Sequence, residues 1–139
     1  MYYVNRQQIE IRLQFIPEII RVLRSLQQTD PESPLYLFAE ERALHLAVET
    51  VTDIGSYLID GFLMRDASSY EDIVEILRDE QVVSPDLARP LLELVELRKP
   101  LVQQYFDLER DRLLPVAHAL LEVLPQFADA VREYLEANG

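Results

Sequence analysis

Apolar residues recur three and four positions apart along most of the chain, and only short polar stretches interrupt them. Ile9, Leu13, Ile16, Ile20 and Leu23 make the first such stripe, the pattern of a helix with one buried face. Asn5 precedes it as an N-cap with Gln8 in capping-box position, and Pro17 predicts a kink. The polar TDPESP at 29–34 ends the pattern. Ser33-Pro34 then reads as N-cap and first position of a long second helix reaching about Met64. DASSY reads as a turn. Ser69 with Asp72 caps a short helix carrying Ile73, Val74 and Leu77 inward.

Ser84-Pro85 opens a fourth helix, with Pro90 in or near its first turns. Lys99-Pro100 predicts an interruption, because the residue before a proline is pushed away from helical angles. A fifth helix is expected from Pro100 with a bend near Pro115, and a last segment after Pro125. No internal repeat, low-complexity tract or linker interrupts the 139 residues. One domain spanning 1–139 is expected: an all-α bundle of five or six helices, the long ones antiparallel.

The second helix carries a polar stripe. At about 100° per residue, Arg42, His45, Glu49, Asp53 and Asp60 share one side, and Ala43, Leu44, Ala47, Val51, Ile54 and Leu58 cover the other. The plain reading is a solvated face with weak surface attractions. The sharper one is a cleft in which Arg42 or His45 meets a phosphate and a carboxylate orients it. A metal is not expected, since His45 and Glu49 supply only two ligands and no second histidine is near. His118, between Ala117 and Ala119, reads as a partly buried helix residue.

Composition narrows the chemistry. Thirteen basic against twenty-five acidic residues give a net charge of −12, which repels polyanions at long range and argues against a general nucleic-acid binder. The chain has no cysteine, which excludes disulfides and thiolate metal sites and suits a reducing compartment. MYYVNRQQ lacks the features of a signal peptide. Charged residues interrupt every apolar run before the ~20 residues a membrane helix needs. A soluble cytoplasmic protein is the expectation. The apolar VVSPDL and LLPVAHALL exceed what one small bundle is expected to bury, a hint of self-association.

ELRKPLVQQYFD, residues 96–107, holds the most pointed constellation. Arg98 falls at a helix junction, where a guanidinium beside the free amides of a new helix makes an anion site. Tyr105 adds a phenolic donor. The plain alternatives are a helix C-terminal charge for Arg98 and a core aromatic for Tyr105.

Here the chain resembles a known family. ER at 41–42, Asp53, the YEDIVEIL helix and RKPLVQQY at 98–105 occur in the order seen in the HepT-like family of the HEPN superfamily. Its signature is R-N-x-x-x-H-x-Y. DGFLMRD, YEDIVEIL and LVQQY extend the likeness to a subgroup from bacilli, the YutE-type proteins. The resemblance implies a small all-helical homodimer acting as a metal-independent, cofactor-free ribonuclease toxin, neutralised by a nucleotidyltransferase antitoxin. By position, Arg98 matches the phosphate-holding arginine. Tyr105 matches the tyrosine, which in some members the antitoxin modifies with AMP. Arg42 and Asp53 match residues of the family's cleft. Lys99 replaces the asparagine and Gln103 the histidine.

That last replacement matters chemically. A glutamine amide hydrogen-bonds but does not titrate near neutral pH, and general acid–base help is typically worth about 10²–10⁴ in rate. Lys99 does not substitute without deep burial to lower its pKa. His45 can, provided the second helix faces Arg98. Three readings stand. One is a degenerate nuclease that binds RNA or a nucleotide at Arg98, Lys99 and Arg42 without cutting. Another is an active endoribonuclease toxin with an altered proton shuttle. The third is a purely structural dimer.

Overall fold

The computed structural model describes residues 3–139, and among them the chain is all-helical, with six helices and no strand. These are α1 (Arg6–Leu26), α2 (Pro34–Gly61), α3 (Tyr70–Asp79), α4 (Pro85–Glu96), α5 (Arg98–Gln103) and α6 (Arg110–Asn138). The starts follow the expected caps. Asn5 accepts from the Gln8 amide at 3.2 Å, Ser33 from Leu35 at 3.2 Å, Ser69 from Asp72 at 3.0 Å and Ser84 from Leu87 at 3.1 Å. The capping box at Asn5 is only half made, because the Gln8 side chain turns to accept from Arg12 Nη1 at 2.7 Å.

No glycine stands at the left-handed positions that close α2 and α3. Leu63 and Gln81 take left-handed φ values of 55° and 62°. Met64 N–H then bonds Ile59 O and Val82 N–H bonds Leu77 O, the six-to-one closure of a Schellman turn.

α1 lies between the other two long helices. Arg12 meets Asp53 while Val22 lines a groove with Ala39, so α1 and α2 are antiparallel. Arg6 reaches Leu135 O and Arg132 pairs with Glu10, so α1 and α6 are antiparallel as well. α2 and α6 therefore run the same way, with Glu41 beside Arg110 at one end and Phe62 beside Tyr134 at the other. The core is continuous through all six helices, and Leu44, Ile54, Leu58, Leu91, Leu94 and Phe127 have no exposed surface. The apolar side expected of α2, Ala43 to Leu58, is buried throughout.

Three expectations fail at the C-terminal half. The helix containing Pro100 does not run on toward Pro115; it stops at Gln103, and α6 starts at Arg110. Lys99-Pro100 does not interrupt either. Leu97 alone separates α4 from α5 and is itself helical at φ −75°, ψ −12°, so Pro100 sits at the third position of α5, where its missing N–H costs little. Pro115 and Pro125 both lie inside α6. Buried Leu113, Ala117, Leu120, Leu124, Phe127 and Val131 continue across them, and this burial outweighs the ~3 kcal/mol an interior proline costs.

Surface expectations change too. Val82, Val83 and Leu87 are buried, so VVSPDL contributes core, whereas LLPVAHALL buries Leu113, Ala117 and Leu120 and leaves Leu114 52% exposed. Other exposed apolar side chains include Ile11, Phe15, Val22, Leu35 and Phe38 of α1 and α2, Leu63 after α2, and Val102, Tyr105 and Phe106 beyond. His118 is exposed rather than partly buried.

The turn between α2 and α3 is pinned by Asp72. Its carboxylate accepts from Arg65 Nη1 at 2.7 Å, Arg65 Nη2 at 2.9 Å and the Ser68 amide at 2.9 Å. The Arg65 hydrogen bonds, followed by that of the Ser68 backbone, hold the Asp72 carboxyl well below the usual carboxylate range. A carboxylate depressed in the folded state contributes stability above its unfolded pKa of about 3.9, and that contribution is lost as pH falls further. Asp72→Asn should therefore lower Tm at pH 7. It should also flatten the fall in Tm on acidification below about pH 4, read by circular dichroism melts of both proteins.

Candidate functional site

The polar stripe of α2 is where two other helices deliver their guanidinium groups. Arg98, the first residue of α5, donates from Nε to Glu49 Oε1 at 3.2 Å. Its guanidinium carbon stands 4.0 Å from the centre of the Tyr70 ring, a cation–π contact with the first residue of α3. His45, one turn before Glu49, places Nε2 3.4 Å from the same Oε1. One turn beyond Glu49, Asp53 accepts from Arg12 Nε at 3.1 Å, and Arg12 lies over the Tyr57 ring at 5.1 Å.

The consequence for Arg98 is specific. One face rests on Tyr70 and the Nε corner is taken by Glu49. Among the described residues no hydrogen bond occupies its two terminal nitrogens. That leaves the edge that grips a phosphate in parallel, two-pronged fashion, on a side chain 31% exposed. The Asp72 staple contributes indirectly by fixing the start of α3, and with it Tyr70.

Other motif residues stand apart. Gln103 is the last residue of α5 and exposed; five residues from Arg98, it lies about 140° around the helix. Lys99 is exposed. Tyr105 is not a helix residue beyond Pro100 and not a core aromatic. It sits in the turn after α5, 65% exposed, with its ring edge-on to Phe106 at 5.6 Å. Arg42 lies two turns from Glu49, about 10 Å along the helix, and lines the α1–α2 groove with Phe15, Glu18 and Leu46. The open amide nest expected at Pro100 is absent, since α5 follows α4 with one residue between. Among the described residues no group of three or more His, Cys, Asp and Glu could hold a metal ion, and no helix is long and apolar enough to cross a membrane.

The structure thus joins Arg98, Glu49 and His45, and pairs Asp53 with Arg12 beside them. Sequence reasoning had Glu49 and Asp53 on the stripe but missed Arg12 and Tyr70. The signal for Arg12 was its place on the flank of the Ile9–Leu13–Ile16 stripe. For Tyr70 it was an aromatic directly after a capping serine.

Comparison with known proteins decides what this arrangement belongs to. A family model, described as ribonuclease HepT-like, matches residues 12–131. The chain belongs to the HepT-like family. It is 40% identical over 138 residues to the candidate RNase YutE of Bacillus subtilis (strain 168), covering 99% of this chain and 94% of YutE. The solved structure of YutE, described as a cytosolic protein of unknown function, superposes with a TM-score of 0.91 over the same shares at 39% identity. The tRNA nuclease HepT of Aphanizomenon flos-aquae (strain 2012/KM1/D3) is 24% identical over 132 residues, covering 91% of this chain and 89% of that one. A tri-AMPylated Shewanella oneidensis HEPN toxin, solved in complex with its MNT antitoxin, shares the fold. Its TM-score is 0.81 at 20% identity, over 90% of this chain and 96% of that one. This HepT-like chain is thus an all-α member of its family.

Proposed function

We propose that this HepT-like protein is a degenerate nuclease. It binds the phosphate of RNA or of a nucleotide at Arg98 and cuts it weakly or not at all. The observation that carries this reading is the free two-nitrogen edge of Arg98, held by Glu49 and Tyr70, in a chain whose motif has Gln103 where a proton carrier is needed. Lys99, exposed beside Arg98, adds charge to the phosphate path; Arg42, on the α1–α2 groove, meets it only if the ligand extends that far. Asp53 acts through Arg12, keeping a second cation on the stripe. The partner expected of such a protein is a nucleotidyltransferase antitoxin in the cytoplasm, with exposed Tyr105 as the residue it modifies with AMP. Phe15, Val22, Leu35 and Phe38, exposed along α1 and α2, are the surface on which a second copy would pair.

One contact favours a second reading, an active metal-independent endoribonuclease. His45 shares Glu49 Oε1 with Arg98, so an imidazole, a side chain able to carry a proton, stands beside the phosphate-gripping group. The experiment is a side-by-side incubation of native and His45→Ala protein with single-stranded RNA in the presence of EDTA. Intact RNA from both supports the binding reading. Cleavage that disappears in His45→Ala establishes the second; extensive cleavage that is undiminished in that variant contradicts both.

A further inference from the structure

A second hollow lies at the other side of α5, away from Arg98. It occupies about 340 Å³ between the end of α5 and the start of α6, and its walls include Gln104, Phe106, Asp107, Glu109 and Arg112. That volume is at the small end of ligand sites.

Phe106 is the unusual member. Its ring is 78% exposed, an unfavourable display of apolar surface that solvation alone does not explain. It is not loosely hung. Tyr105 stands against it nearly perpendicular, at 87°. Gln104 N–H bonds Pro100 O at 2.9 Å and Asp107 N–H bonds Gln104 O at 3.0 Å. The far end of the turn is clamped by Arg110 Nη2, 2.6 Å from Glu41 Oε2 on α2. A fixed, exposed aromatic face beside a small polar hollow is a stacking platform for a planar ring.

The polar walls say which ring. Asp107 and Glu109 outnumber Arg112, so a bare phosphate is repelled and the ligand must bring N–H donors. None of these three has a charged partner among the described residues, so all are available to a ligand. Guanine matches the set. Its adjacent ring N–H and amino group suit a carboxylate, and its O6 and N7 accept two bonds from an arginine. Uracil offers one N–H between two carbonyls, so it makes a single bond to a carboxylate where guanine makes two.

We infer that the hollow beside Phe106 is a guanine site, stacked on Phe106 and hydrogen-bonded by the Asp107–Glu109 carboxylates and Arg112. It is independent of the phosphate site at Arg98. The ligand can be a free guanine nucleoside or a guanine within single-stranded RNA.

The test is calorimetric titration of the native chain with guanosine, which has no phosphate and is blind to Arg98. Saturable binding is expected, at least five-fold tighter than for uridine. Phe106→Ala should weaken it by about 5- to 150-fold, the usual range for a lost base–aromatic stack, while Arg98→Ala leaves it unchanged. A tetranucleotide RNA with one guanine, titrated into Arg98→Ala so that the phosphate site is removed, separates the sources: tighter binding than guanosine identifies RNA, equal or weaker binding the free nucleoside. The assignment is overturned if guanosine shows no saturable binding up to its solubility limit. It is equally overturned if Phe106→Ala binds guanosine as well as the native chain, or if that variant dissociates a dimer in sedimentation, which makes Phe106 a contact between copies. Loss of RNA binding in Arg98→Ala with guanosine binding intact, or the reverse, shows which of the two sites has failed.

Discussion

Gln103→His is expected to raise RNA cleavage by the purified protein about 10²-fold or more, with the increase developing between roughly pH 5.5 and 7.5. The magnitude is that of general acid–base help, and the pH range is that of an unperturbed imidazole. Gln103 is exposed at the end of α5, so the new ring costs no packing. Arg98 and Gln103 point to different sides of α5, yet that helix is only about 9 Å long. On the proposed reading both side chains flank one short segment of bound RNA. There Arg98 would grip a phosphate, and the new histidine would take the proton from the 2′-hydroxyl that attacks it. Product chains ending in a cyclic phosphate, resistant to EDTA, are the expected signature. A Gln103→His protein as silent as the native one would mean that the two positions no longer serve a common phosphate.

A pair of substitutions with opposite signs makes the second prediction. Arg98→Ala should weaken binding of a short single-stranded RNA by about 10-fold or more, since a charge-assisted, two-pronged contact contributes roughly 1.5–3 kcal/mol. Glu49→Gln should tighten it. Glu49 Oε1 sits 3.2 Å from Arg98 Nε, and its negative charge both neutralises the guanidinium and repels an incoming phosphate. The amide can still accept the Nε hydrogen bond, so the orientation of Arg98 survives while the repulsion goes. Arg98→Lys should not rescue the loss, because an ammonium has neither the fork nor the flat face that Tyr70 supports. Fluorescence anisotropy at low salt measures all three. Tightening in Arg98→Ala, or weakening in Glu49→Gln with the fold intact, contradicts the assignment.

Much of the fold could be read before the coordinates. Serine and asparagine caps start four helices where expected, and the buried side of α2 follows the 3.6-residue period from Ala43 to Leu58. Prolines misled. Local rules treat Pro100 and Pro125 as breaks, but Pro100 falls in a first turn and Pro125 is carried by a buried stripe from Leu113 to Val131. The break that does occur, at Gln104 to Glu109, has no glycine or proline to announce it.

The candidate site was legible in its charges and not in its partners. Arg98 and the α2 stripe were visible as patterns, because helical spacing puts His45, Glu49 and Asp53 on one side. Which cation meets which carboxylate depends on how α1, α3 and α5 cross α2. Arg12 and Tyr70 enter from distant parts of the chain for that reason. Tyr105 carries the family motif yet stands in solvent beside Phe106, a placement set by the unannounced turn.

The native protein provides the most direct measurement: bind end-labelled single-stranded RNA in EDTA across a salt series, then recover it and determine its length. Saturable retention that weakens as salt rises, with the RNA returned at full length, is the predicted result. RNA that fails to bind at low salt, or that returns mostly shortened, would contradict the account.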